Sequence, residues 1–472
     1  MRVSIQQVLR IGVSILWILA NLAAFLSHGN MYVNTYSLVS ANILFLTYFI
    51  LASSVNISLV IYNIVGLFFV LQRCLLIFAG QDNFAFLGPF TIDVTSFELA
   101  LVFICIANLF IILIAKKYRK PFCESPIYHS KFMTDVIRYY PIVFIIFWII
   151  RKVIQFETGI GFTGRGGSSE LGLMSRMIEI AIAPHIFLFL GIFLFPKRNK
   201  LHILGSLLLL IDFILAGSKA ALLSFGCSIA LCYMFLRSYQ IRIKYIVLAA
   251  VLFAATILYA PTAMFLRGGI ASYHYNVSLQ ELPELVASSY DKLDMDDLNV
   301  YTKLVMSRMG LLDWLAAFIH FGRAVFNIEM NFHSLFLSLA NSIIPSWILP
   351  NPYIPPVTYI TQIWTSTIEV TRGDLAGIYG TMYIYLGYWL GIVALVLWLW
   401  LSCHFVQKYN RFFGILYVWQ FVLSFMVDGL IETHVRAIIN IAIFVLVYGV
   451  FLTIIEVSSR QAIGAIPSTA RQ

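Results

Sequence analysis

The chain has 472 residues, 61% of them hydrophobic and 11% charged, with a mean hydropathy of +0.89. Soluble domains carry about 25% charged residues, so this composition excludes a water-soluble enzyme, a nucleic-acid binder and a disordered chain. The net charge of +9 is read as loop charge bias in a membrane protein rather than as a nucleic-acid footprint. Six cysteines, four of them inside apolar runs, make no disulfide scaffold.

A membrane-crossing helix needs about 20 apolar residues. Runs of that kind fall near 9–27, 36–53, 56–78, 95–115, 139–155, 176–195, 200–216, 218–236, 243–262, 376–401, 411–430 and 435–456. The first is followed by no small-residue cleavage site and is expected to be a retained span. About twelve spans are therefore predicted, and the fold class is all-α and polytopic. Basic residues cluster at 116–120, 197–200, 237–244 and 408–411, whereas 28–35 and 79–94 contain no Lys or Arg. With twelve spans every basic loop falls on one side together with both termini, which places the termini in the cytoplasm. The expected division is an N-terminal bundle over 1–262, a large outer loop over 263–375, and C-terminal spans with a cytoplasmic tail over 376–472.

The outer segment 263–375 is too apolar to be disordered and too long to be a plain connection. Leu298, Tyr301, Leu304, Val305, Met309 and Leu312 recur at three and four, predicting helix over 291–326 with the acids Asp291 to Asp297 in its first turn. Residues 332–350 are apolar and aromatic but too short to cross, so they are expected to dip into the membrane surface or to pack on the bundle. No internal repeat is found, which weakens a transporter built from paired halves.

Two motifs fail on context. Gly159-Ile-Gly161-Phe-Thr-Gly164 matches GxGxxG, but a membrane span precedes it rather than a strand. Asp294-Met-Asp296-Asp297 resembles a metal-holding acidic motif, yet it lies on the outer side and helix N-terminal charge accounts for it. No HExxH or CxxC occurs, so neither a metal nor another cofactor is expected. What remains is a set of outer-side cations: Arg165, Lys219, Arg267, Arg308, Arg323, Arg372 and Arg436. Arginine near hydrocarbon usually faces a cavity or an anion, and its planar fork suits phosphate. Individually each can instead pair with Glu157, Glu170, Asp313, Asp374 or Glu432, or reach lipid headgroups. As a group they point to an anionic substrate that arrives in the membrane plane. Four histidines, His274, His320, His333 and His434, lie on the same side. His333 begins the apolar segment, and His434 is flanked by Glu432 and Arg436.

Four stretches then resemble one family. Ala216-Gly217-Ser218-Lys219-Ala220-Ala221-Leu222, Ser307-Arg308-Met-Gly-Leu-Leu-Asp313, Ile343-Ile344-Pro345-Ser346-Trp347 with Pro350, Pro352 and Pro355, and Gly377-Ile-Tyr379-Gly380 through Gly387-Tyr-Trp-Leu-Gly391 are similar in order and spacing to segments of the O-antigen, or oligosaccharide repeat-unit, polymerases. Lys219 stands where the family has Arg, Ser346 where it often has Arg, and no Lys precedes Pro352 or Pro355, which shifts weight to Arg308 and Arg372. The resemblance implies a lipid-donor glycosyltransferase of the bacterial inner membrane. Such an enzyme moves a growing glycan from undecaprenyl diphosphate onto a new lipid-linked repeat unit, among membrane lipids and with a chain-length regulator protein as partner.

Fixed cations would stabilise the departing diphosphate, and a base would take the acceptor hydroxyl proton. His333 is the expected base, with His434, Asp374 and Glu432 behind it. Trp347, Tyr353, Trp364 and Tyr379 are expected to face sugar, as are Trp314 and Tyr359, although anchoring at the membrane interface explains such aromatics as well. Two rivals stand beside this reading. One is the ligase that transfers the same donor to lipid A core; the other is a flippase for lipid-linked oligosaccharides.

Overall fold

The computed structural model describes residues 2–27, 33–80, 92–118, 131–157, 200–215, 240–243, 247, 251, 310–322, 332–343, 377–408 and single positions between 426 and 454. The helices among them are α1 Ile5–Leu26, α2 Thr35–Leu51, α3 Ile57–Phe78, α4 Val94–Lys117, α5 Lys131–Glu157, α6 Lys200–Leu215, α7 Leu311–Phe321, α8 Phe332–Ile343 and α9 Gly377–Lys408. Two short strands, β1 Arg2–Ser4 and β2 Gln240–Arg242, pair antiparallel. Among the described residues four helices (Ile5–Leu26, Ile57–Phe78, Val94–Lys117 and Gly377–Gln407) are long and apolar enough to cross a membrane, and the chain is a multi-pass membrane protein.

The chain divides into two compact units. One comprises 1–126, 238–247 and 299–437, the other 127–237, 248–298 and 438–472. In the second unit α5 packs against α6. Pro141 lies inside α5, where it removes one helix hydrogen bond, and Phe144 one turn later is fully buried.

The first unit is built from α1–α4, α7, α8 and α9. Ser4 caps α1 through a reciprocal pair with Gln7, satisfying two of the orphan amide groups at a helix start. Asn34, Asn56 and Asp93 cap α2, α3 and α4 by a single bond, each side chain accepting from a backbone N–H inside its helix. Each long helix then buries one face. On α9, Trp389, Val393, Leu397 and Leu401 recur every four residues on the exposed side, while Ile392, Leu395, Leu399, Cys403 and Val406 are buried. On α1, Ile11, Ile15, Ile18, Leu22 and Phe25 are exposed, while Leu9, Val13, Ala20 and Ala24 are buried. An outward stripe this apolar is stable only against lipid.

Two sets of contacts define the ends of the bundle. At the N-terminal end Gln6 donates to the carbonyls of Ser53 and Ser54. There too Asn56 donates to the Cys403 carbonyl, and Lys117 lies 6.0 Å over the Trp400 ring. At the far end Asn34 and Ser37 hydrogen-bond Glu98, and His320 meets Asp93. Helices α1–α4 therefore run alternately up and down.

Helices α7 and α9 add detail that the sequence pattern does not give. The sequence pattern predicts helix over 291–326, and α7 lies in that range; all but one of the residues from Leu311 to Phe321 are buried, against α4, α9 and the middle of α3. Nine of its 11 residues are apolar, a composition that favours burial over exposure to water. The predicted span 376–401 is not one straight rod. Gly387 has φ 73° and ψ −171°, a conformation essentially restricted to glycine. The chain folds back there, so that a β-carbon on Gly391 would lie 2.8 Å from the Met382 carbonyl oxygen. The limb 388–408 still crosses, at about 31 Å long. The limb 377–386 lies beside α7, with Leu311 against Gly377 and Gly322 against Tyr383. Both α7 and this limb start inside the bundle and rise toward the far end.

Candidate functional site

The interior where these half-helices begin is polar. Tyr62 donates to Asn108 at 2.6 Å, Tyr379 donates to Tyr62 at 3.1 Å, and the Tyr48 and Tyr379 hydroxyls lie 3.4 Å apart. Asn63 donates to the Tyr48 carbonyl and Asn108 to the Thr47 hydroxyl. The three tyrosines and both asparagines are fully buried, and Thr47 nearly so. Gly66 makes room for the network, because a β-carbon there would collide with the Tyr48 ring. At the same place α3 widens into a π-turn over Gly66–Leu71, a distortion often kept at functional positions.

That turn leads into Arg73, whose Nε lies 2.6 Å from Asp313 Oδ2 in the first turn of α7. The side chains are 14% and 4% exposed, so an ion pair sits within the bundle. Asp313 Oδ1 has no hydrogen-bond partner among the described residues. The carboxylate lies near the amide end of α7, where the helix dipole favours negative charge, and Gly310 leaves it the space that a β-carbon would occupy.

Seven residues further along α7, on the same helix face and about 10.5 Å away, stands His320. Its Nδ1 is 3.1 Å from Asp93 Oδ1, which also accepts from the Ser96 backbone N–H at 3.1 Å. Partial burial raises the Asp93 carboxyl, but the hydrogen bonds from Ser96 and His320 outweigh it and hold the group below its ordinary pKa. Buried ion pair and partly exposed imidazole–carboxylate pair thus line one side of α7.

Of the residues expected from sequence, His333 lies exposed in the first turn of α8, a helix that packs on α9. Tyr379, expected to face sugar, is fully buried with its hydroxyl in the tyrosine network. Trp314 is also fully buried, against Phe318. His434, Asp374, Glu432, Arg308, Arg372, Arg267, Arg323, Lys219, Arg165, Arg436, Trp347, Tyr353 and Trp364 lie outside the described residues. Sequence reasoning alone misses the Arg73–Asp313 pair, Asp93 and the tyrosine network. Their signal is present as polar residues inside apolar runs, which usually face a bundle interior.

No protein-family model, curated protein or solved structure matches this chain. The reading of its function therefore rests on its own residues.

Proposed function

We propose that the protein is a membrane glycosyltransferase that extends a glycan carried on undecaprenyl diphosphate, working without a metal at the outer face of the bacterial inner membrane, with both termini in the cytoplasm. One observation carries the reading: in two of the segments that resemble the polymerases, residues 310–313 and 377–391 meet inside the bundle, with Leu311 against Gly377. The glycines of the second segment have a structural reason, with φ 60° at Gly377 and 73° at Gly387. On this reading the far end of the bundle is the outer side. The lipid-facing stripes of α1 and α9 let a polyprenyl substrate approach in the membrane plane. Outer-side arginines hold the diphosphate, whose charge grows as its bond to the sugar breaks, and a base at the far rim takes the acceptor proton.

The test is purified protein in lipid nanodiscs with undecaprenyl-diphosphate-linked repeat units. A ladder of longer lipid-linked glycans is expected, and it persists in EDTA. Loss of the ladder in EDTA with recovery on Mg²⁺ or Mn²⁺ returns a metal role to Asp294 and Asp296. Transfer to lipid A core instead of to a second repeat unit assigns the ligase activity.

A transport reading has its own support, because half-helices that start inside a bundle beside a buried ion pair are also a transporter arrangement. Movement of the lipid-linked oligosaccharide across a proteoliposome membrane without elongation decides for it.

A further inference from the structure

The Asp93–His320 pair joins residues 227 positions apart in the chain, and the reading above leaves its base unnamed. The structure fixes both partners. Asp93 is held by its cap hydrogen bond to Ser96 at the start of α4. His320 lies in the last turn of α7, which is anchored two turns earlier by the ion pair between Asp313 and Arg73. The imidazole also stands edge-on to Phe321, with ring centres 4.9 Å apart and planes at 85°. An ionised carboxylate only accepts hydrogen bonds, so Nδ1 donates to it, and in the neutral ring Nε2 then carries the lone pair. Nε2 has no hydrogen-bond partner among the described residues.

Exposure separates a working pair from a buried clasp. The His320 side chain is 31% exposed and that of Asp93 is 51%, so a ligand at the rim can reach the ring. As a clasp between α4 and α7 such a pair contributes only about 0–1 kcal/mol, and the two helices are already packed together over α7. The other charged groups on the neighbouring elements are engaged: Glu98 with Asn34 and Ser37, and Asp313 with Arg73.

We infer that His320, oriented by Asp93, is the general base that deprotonates the acceptor sugar hydroxyl. This inference rests on the glycosyl-transfer reading above. The acceptor O–H proton passes to His320 Nε2 while the oxygen lone pair forms a bond to the anomeric carbon of the donor. The bond from that carbon to the diphosphate oxygen breaks, and its electrons leave with the undecaprenyl diphosphate. The imidazolium is stabilised by the Asp93 carboxylate and returns its proton to water. His320 is the catalytic residue and Asp93 its positioning residue.

The experiment measures chain extension by purified full-length protein in nanodiscs, using defined undecaprenyl-diphosphate-linked donor and acceptor. His320→Gln is expected to lower kcat by about a hundredfold or more, the usual share of a general base. Asp93→Asn keeps the cap, since Asn is as good an N-cap as Asp, and removes only the charge. It is expected to lower kcat at least about tenfold while KM stays within about twofold, a split that a structural clasp does not produce. Unchanged gel-filtration profiles and unfolding midpoints establish that both variants fold, and free imidazole added to His320→Gly tests the chemistry separately, with partial return of turnover expected. If wild-type protein extends chains and folded His320→Gln does so within about threefold of it, a loss far below the share of a general base, the inference is overturned. It is overturned equally if His333→Gln alone is inactive, which gives the base role to His333. If wild-type protein extends nothing, the glycosyl-transfer reading itself fails, and the inference with it.

Discussion

Removing Arg73 leaves the Asp313 carboxylate inside the bundle without the guanidinium that balances it, and removing Asp313 takes away the carboxylate that Arg73 pairs with. The closest atoms are 2.6 Å apart, and charge centres about 4 Å apart attract by roughly 4 kcal/mol at an effective dielectric of 20. Loss of one partner from a buried pair costs about 3–5 kcal/mol, because the survivor remains desolvated. Asp313→Asn and Arg73→Met are each expected to destabilise the first unit by that amount. The double variant Arg73→Met with Asp313→Leu removes both charges and fills the space with apolar atoms, so it should regain most of the loss. The assay is SDS titration of the protein in mixed micelles, followed by tryptophan fluorescence, with the four proteins arranged as a double-mutant cycle. Trp314 lies next to Asp313 in the chain and is fully buried, which makes it a local reporter. A double variant no more stable than the sum of the two single losses predicts would refute this reasoning, because it would mean that the charges do not stabilise one another.

Gly387→Ala should destabilise through backbone strain alone, by about 1–3 kcal/mol, since a β-carbon there meets nothing within 4 Å. The same micelle titration measures it, and an unshifted midpoint would show that the hairpin tolerates a side chain. Gly66→Ala should cost more, because the β-carbon collides with a fully buried Tyr48; retention of wild-type stability would mean that the ring can move aside. Arg308→Ala should abolish long chains while single repeat units still reach their acceptor, at a cost of about 2–4 kcal/mol in the transition state. Lys should rescue it poorly for want of the guanidinium fork. Normal glycan ladders from well-expressed Arg308→Ala would make this arginine structural.

Hydropathy makes the long helices legible, because 56–78 and 95–115 carry enough apolar residues to cross and are bounded by Asn56 and Asp93, good helix caps. It does not reveal the course of 311–321 or of 377–386. Eleven residues, nine of them apolar, read equally well as a helix lying on a surface or inserted in a bundle, and only their neighbours decide. The hairpin at Gly387 leaves a trace in the small residues at 387 and 391, but a glycine inside an apolar run more often marks close packing than reversal. Arg73–Asp313 and Asp93–His320 join residues 240 and 227 positions apart, a pairing that one sequence does not encode visibly. Tyr379 stands out in the sequence for its place in a motif, and its hydroxyl proves to serve the buried network of Tyr48 and Tyr62. Aromatic type alone does not distinguish a ring that meets sugar from one that meets other rings.

Helix α7 also sets a condition on biosynthesis. At 11 residues it is about 17 Å long, roughly half the hydrocarbon thickness, so an insertion machinery that accepts spans of about 20 residues has no reason to deliver it across. One of its packing partners, α4, is made well before it, but the other, α9, begins only at Gly377. A nascent chain that has just completed α7 therefore has an apolar segment without its second wall, and the segment reaches its final depth only after 388–408 has entered the membrane. Chains truncated between 322 and 377 should for that reason hold α7 poorly and be cleared by membrane quality control, even though every preceding span is complete.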